Sequence, residues 1–321
     1  MNLIERASRR IKGLNPEKSV VEKAAERLQS PVGDGLDVPP PLHADGNSGV
    51  GVSRDGALAP AARRTQRQIT VDLDRLRSMG MAPPGDESIL GDEIRMIKRP
   101  LIDNAFSTAA SRPENANLIM VTSAGPNDGK TFVASNLAMS MASEHGVRVL
   151  LVDADMAHPC IPKMFGFTAS RGLIDVVEDP KIDLADVLIR TSIENLMLLP
   201  AGRHVALAHE LLASPKMAQF VNDIAKRYAD RIIIFDSPPL LARSEASILA
   251  RHVGQVVFVI AAEHTSKAAV SDALRLVDER KYVGVVLNKT PSAFLREGFG
   301  QYNYKYKYYY NGGRAAVGRK G

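Results

Sequence analysis

The chain has 321 residues, a single cysteine (Cys160) and no tryptophan, which is enough length for one large or two ordinary domains with a real core. One cysteine excludes an intramolecular disulfide. The longest apolar runs, such as Val256 to Ala262, fall far short of the roughly 20 residues that cross a bilayer, and no basic-then-apolar leader opens the chain, so the expectation is an intracellular protein. The formal net charge of +5 is matched by residues 296–321 alone, where Arg296, Lys305, Lys307, Arg314, Arg319 and Lys320 stand against Glu297. The body is therefore balanced, and the basic pI does not argue for nucleic acid as a partner.

In chain order, Leu3, Ile4, Ala7, Ile11 and Leu14 recur at helical spacing, which reads as a solvated helix or as one for a membrane surface or partner. Residues 31–62 hold five prolines and six glycines with little apolar periodicity, the composition of a disordered linker. Residues 69–80 regain hydrophobicity and read as a short docking element. From about residue 88 to 290 strands and helices alternate. Apolar runs suited to buried parallel strands lie at 118–122, 147–152, 196–199, 232–235, 256–261 and 283–287. An amphipathic helix is expected after the first (Val133, Leu137, Ala138, Met141) and another before the last (Val270, Leu274, Val277). The expected fold is α/β, a doubly wound three-layer α/β/α domain with a mostly parallel sheet, which the loop after its first strand makes P-loop NTPase-like. It is flanked by a largely disordered extension (1–87) and a flexible, basic, tyrosine-rich tail (296–321), with the domain between them at 88–295. Ligand sites in such folds lie at the carboxyl ends of the strands.

The first strand runs into Ser123-Ala124-Gly125-Pro126-Asn127-Asp128-Gly129-Lys130-Thr131 and then a helix, the strand-loop-helix context of a P-loop. Small residues let backbone amides close around phosphate oxygens, and the helix N-terminus adds positive potential. The nucleotide-binding set is Ala124, Gly125, Pro126, Asn127, Asp128, Gly129, Lys130, Thr131 and Phe132. In it Lys130 reaches toward the β- and γ-phosphates and the Thr131 hydroxyl toward Mg²⁺. The second strand ends in Asp153-Ala154-Asp155 and the fourth in Asp236-Ser237-Pro238-Pro239. A carboxylate at the end of a buried strand is costly unless a cation or donor meets it. Asp236 reads as the P-loop acid that holds Mg²⁺, while Asp153 and Asp155 add carboxylates able to position the cation or take a proton from an incoming hydroxyl. Water as that nucleophile makes an ATPase or switch; a phenol makes a tyrosine kinase. Neither His-Arg-Asp nor Asp-Phe-Gly of the eukaryotic kinases occurs. Six of the eight tyrosines (Tyr302, Tyr304, Tyr306, Tyr308, Tyr309, Tyr310) cluster near the C-terminus and offer a candidate substrate.

These features resemble the bacterial tyrosine kinases of exopolysaccharide synthesis, P-loop proteins related to the partitioning and division ATPases. The resemblance spans about residues 88–310. It rests on Gly129-Lys130-Thr131, on Leu150 to Asp155 followed by Pro159 and Phe165-Gly166, on Ile233 to Pro239, and on the tyrosine tail. It implies an ATP- and Mg²⁺-dependent autokinase: Lys130, Asp153 and Asp155 catalytic, with Asp153 as base; Thr131, Asp155 and Asp236 at the metal; the six tail tyrosines as acceptors. It also implies a transmembrane polysaccharide copolymerase as activator, a cognate tyrosine phosphatase, and peripheral association with the inner membrane through the partner. Asp92, Arg95 and Lys98 resemble the acid-x-x-Arg-x-x-basic helix through which family members form homo-oligomeric rings, with all three charges expected on one face. The words Ile97-Lys98-Arg99-Pro100-Leu101 and the long extension resemble the exosortase-associated subgroup. The departures are Ala157-His158 where a basic pair is common, and Gly125 where the partitioning relatives carry a lysine. The competing reading is a P-loop ATPase switch without tyrosine transfer, and a third is a nucleotide-bound scaffold.

Overall fold

The computed structural model describes residues 67–109, 112–203 and 208–291; the expectations for residues 1–66 and for the tail lie outside the described residues. In chain order the elements are β1 (Gln68–Ile69), α1 (Leu73–Ser78), α2 (Ile89–Phe106), β2 (Leu118–Ser123), α3 (Lys130–Ala142), β3 (Arg148–Asp153), α4 (Ile161–Phe165), α5 (Leu173–Glu178) and α6 (Leu184–Val187). They continue with β4 (Ile189–Thr191), β5 (Leu196–Leu199), α7 (Ala208–Leu212), α8 (Pro215–Arg227), β6 (Arg231–Asp236), α9 (Ser244–His252), β7 (Gln255–Ala261), α10 (Lys267–Leu274) and β8 (Tyr282–Asn288).

The strands form one sheet in the order β1-β4-β5-β3-β6-β2-β7-β8. Every pairing is parallel except β4 with β5. The central strands β2, β3, β6 and β7 are apolar along nearly their whole length because helices cover both faces, as parallel sheets require. Two hydrophobic clusters result, one per face: one holds Leu118, Leu150, Phe235 and Phe258, the other Ile119, Leu137, Leu151 and Ile234. The six strands read from sequence are present, and the fold is the doubly wound α/β sandwich that alternation implied, of the P-loop NTPase type that the strand-loop-helix motif added.

Three local features depart from the expectations. Helix α3 is not amphipathic: Val133 through Met139, with Met141 and Ala142, are all buried, since it lies between the sheet and α2. The boundary expected at 87/88 falls inside the domain, because β1 adds a parallel strand beside β4 and Val71, Leu76, Met81 and Ala82 are buried. The Ala82 amide donates to the fully buried Asn136 of α3 (2.8 Å), so the element expected to dock does dock. Strand β4 was also invisible to apolar-run reading, being only three residues long with Arg190 exposed.

Candidate active site

The phosphate loop joins β2 to α3, and two residues turn it back on itself: Asn127 (φ 65°) and Gly129 (φ 96°) both adopt the left-handed conformation. Asparagine tolerates that region and glycine takes it without penalty. At Gly129 space matters as well, because a Cβ there would overlap the side-chain amide of Asn288. Lys130 opens α3 and is almost wholly buried.

The loop is braced from two other strand ends. Asn288, closing β8, donates from Nδ2 to the Asp128 carbonyl (2.9 Å), and Lys289 donates from Nζ to the Asn127 carbonyl (2.7 Å). The Asp128 carboxylate is buried (2 % exposed). It accepts from the Thr265 hydroxyl (2.9 Å) and the Gly125 amide (3.2 Å), which ties the loop to the turn after β7. Thr265, Asn288 and Lys289 brace the loop, and motif reading missed them. Asn288-Lys289 follows an apolar strand run, so the strand-end rule that picked out Asp153 and Asp236 would have found it.

Beside the loop, register brings the acids together. Asp153 and Asp236 are direct partners across the parallel β3–β6 pair, adjacent strands lying about 4.8 Å apart. The Ala154 amide donates to the Asp236 carbonyl (2.8 Å), and the Ser237 hydroxyl to the Val121 carbonyl (2.9 Å), which locks the three strand ends to one another. Asp153 Oδ2 accepts from the backbone amides of Cys160 and Ile161 (both 3.1 Å), at the start of α4. Its Oδ1 and both oxygens of Asp236 are buried without a hydrogen-bond partner of good geometry. The two orphaned oxygens of Asp236 beside a phosphate loop fit a divalent cation, and the one on Asp153 a proton, because leaving them bare is costly.

Titration reflects this. Burial first, and the neighbouring Asp236 second, push the Asp153 carboxyl well above the usual range. Burial pushes Asp236 up to about 7 against the opposing pull of the Thr131 hydroxyl and the Lys130 ammonium. Asp155 is also raised by burial, with Lys130 and His158 pulling the other way, and its side chain keeps 14 % exposure. Of the three acids Asp155 is therefore the one that faces solvent. A groove of about 520 Å³ adjoins the loop, lined by Ala124 to Asp128, Leu241, Ala242 and the His264 to Ser266 turn.

The expected ring residues divide. Asp92 and Arg95 are half-exposed and paired with each other, and Arg95 also donates to the Asp86 carbonyl (2.9 Å). Lys98 corrects the expectation of three charges on one face. It is 4 % exposed, donating to the Ser140 carbonyl (2.7 Å) and pairing with Glu144 (2.8 Å). At about 100° per residue, Lys98 is rotated some 120° around the helix from Asp92. It continues the buried stripe Ile94, Lys98, Leu101, Ala105.

A family profile described as an AAA domain matches residues 117–286. The putative tyrosine-protein kinase CapB of Staphylococcus aureus is 30% identical over 226 residues, 70% of this chain and 91% of that one. The chain belongs to the bacterial tyrosine-protein kinase family. The tyrosine-protein kinase wzc of Salmonella typhimurium is 32% identical over 197 residues, 60% of this chain. Among solved structures the chimerical protein CapA2B2 superposes with a TM-score of 0.57 at 27% identity, covering 70% of this chain and 94% of that one. The VpsO kinase domain does so at 0.51 and 28%, covering 64% and 100%. The chain spans 26% of the length of wzc and 29% of that of the putative kinase EpsB of Ralstonia nicotianae, but nearly the whole of CapB. No helix of the described residues is long and apolar enough to cross a membrane.

Proposed function

We propose that the protein is an ATP- and Mg²⁺-dependent tyrosine autokinase that phosphorylates Tyr302, Tyr304, Tyr306, Tyr308, Tyr309 and Tyr310 of its own tail. The observation that carries the reading is the set of orphaned, in-register carboxylate oxygens of Asp153 and Asp236 beside a braced phosphate loop. Phosphoryl transfer is mostly positioning and charge stabilisation, and the residues divide that work. The amides of Gly125 to Thr131 and the Lys130 ammonium bind and orient the phosphate chain. Thr131, Asp155 and Asp236 would hold Mg²⁺, which when bound offsets charge on the β- and γ-phosphates. Asp153 Oδ1, raised in pKa and free of donors, takes the proton of the incoming phenol, while the two amides on Oδ2 keep the carboxylate aimed.

Gly125 argues against the switch reading. Its amide is engaged by Asp128, and there is no side chain at the position where the partitioning ATPases carry a lysine. The kinship with capsule kinases and the tail support a role in exopolysaccharide polymerisation or export. In that role a transmembrane copolymerase activates the protein at the inner membrane, a cognate phosphatase resets it, and rings form through the surface that carries Asp92 and Arg95. The Ile97 to Leu101 wording supports placement in the exosortase-associated subgroup. Purified protein incubated with ATP, Mg²⁺ and the partner's cytoplasmic segment should gain phosphate on residues 302–310, mapped by mass spectrometry, and Lys130→Met should abolish it. ATP turnover with no phosphotyrosine would favour the switch instead.

A further inference from the structure

Strand β8 is the last strand of the sheet, and its outer edge has no partner among the described residues. Such an edge, seven residues long, is an open template for strand addition. Its helix-side face is also only partly covered. Val283 packs against the core cluster that Val270 and Leu274 of α10 join, but Val285 and Leu287, two and four residues on and therefore on the same face, are 57% and 54% exposed. Few large apolar side chains of the described residues are so exposed, and these two are adjacent.

The segment Tyr302-Asn303-Tyr304-Lys305-Tyr306-Lys307-Tyr308 alternates at the strand period. Extended, it places Tyr302, Tyr304, Tyr306 and Tyr308 on one face and Asn303, Lys305 and Lys307 on the other. Its length equals that of β8, and the intervening residues 289–301 are ample for an antiparallel return. The geometry points to the tail of the same chain as the occupant of this edge: residues 302–308 add to β8 as a further strand, with the tyrosine face over Val283, Val285 and Leu287. Aromatic and branched side chains facing each other across strands are a favourable pairing.

This rests on the kinase reading above and deepens it. Docked, the acceptors are stored on the strand whose end, Asn288, braces the phosphate loop. A phosphotyrosine carries about −1.5 to −2 charges, which cannot lie against Val285 and Leu287 without desolvation cost, so phosphorylated segments leave the edge. Docking therefore distinguishes unmodified from modified tails.

The test uses the full-length chain after phosphatase treatment, without nucleotide. Hydrogen exchange should show protection within residues 302–308, and trypsin should cut slowly at Lys305 and Lys307. Val285→Lys with Leu287→Lys, or Tyr304→Asn with Tyr306→Asn in the tail itself, should raise the cutting rate roughly tenfold or more. Autophosphorylated protein should behave like these variants. Tail amides that exchange at random-coil rates in unphosphorylated protein would overturn the proposal, as would protection that vanishes on dilution, which would assign the edge to a second copy. Protection without any phosphotyrosine formation would support docking while sinking the kinase reading; phosphotyrosine on an unprotected tail would overturn docking alone.

Discussion

Asp236 couples the site to stability through pH. Its carboxyl is fully buried and moves from an ordinary 3.8 to about 7 in the folded chain. The folded state thus holds this proton more tightly than the unfolded state does. The contribution is complete below the unfolded value and is lost as pH rises through the folded one. At about 1.4 kcal/mol per unit, the whole window is worth about 4 kcal/mol, and the part between pH 5 and pH 8 about 3 kcal/mol. Chemical unfolding of the metal-free protein at these two pH values should show wild type losing that much more stability than Asp236→Asn, equivalent to a relative shift in melting temperature of about 6–12 °C for a unit of this size. Asp153 and Asp155 are displaced in the same direction, and His252, lowered by burial, in the opposite one. His252 contributes alike in both proteins, whereas Asp236→Asn also removes the part of the Asp153 shift that Asp236 causes, which adds to the difference in the same direction. Millimolar Mg²⁺ at pH 8 should restore wild type and leave Asp236→Asn nearly unchanged, since binding to the native state alone stabilises it. Parallel pH profiles in the two proteins would refute the reasoning.

Gly129→Ala places a Cβ against Asn288 in a left-handed backbone; nucleotide affinity, measured by calorimetry, should fall roughly tenfold or more, and an unchanged affinity would show that the brace is not needed. Thr265→Val removes the donor to the buried Asp128 and the acceptor of the Ala261 amide, and should raise the KM for ATP several-fold while costing roughly 1–3 kcal/mol of stability. Lys98→Met should leave Glu144 without its partner and alter stability by roughly 1–3 kcal/mol without altering the oligomer seen by sizing, whereas Arg95→Ala should alter the oligomer and spare the fold. Asp153→Asn should lower kcat for phosphotransfer far more than it raises the KM for ATP, the mark of a group that acts on the transferring proton.

Much of the molecule was legible one segment at a time. Six strands announce themselves as short apolar runs because parallel strands are buried on both faces, and the phosphate loop is a local sequence with a local geometry. Asp153 and Asp236 stand out because a carboxylate after a buried run demands compensation. The limits of that reading are physical too. Residues 69–80 carry enough hydrophobicity to read as a docking element, but only pairing with β4 and burial against Asn136 make residues 68–82 part of the domain. Lys98 looks like a surface charge by type; its place on the buried stripe of α2, beside Glu144, makes it internal. Asp128, Thr265, Asn288 and Lys289 are far apart in sequence and converge only because β2, β7 and β8 are neighbours.

The residue types at the strand ends, and with them the chemistry of phosphate and cation, were determined by the sequence alone, since burial of an apolar run dictates what may follow it. The tertiary structure decided which of those ends touch: parallel register sets Asp153 against Asp236, and crossover helices many residues long, which no local pattern encodes, bring β8 to the edge with Val285 and Leu287 uncovered.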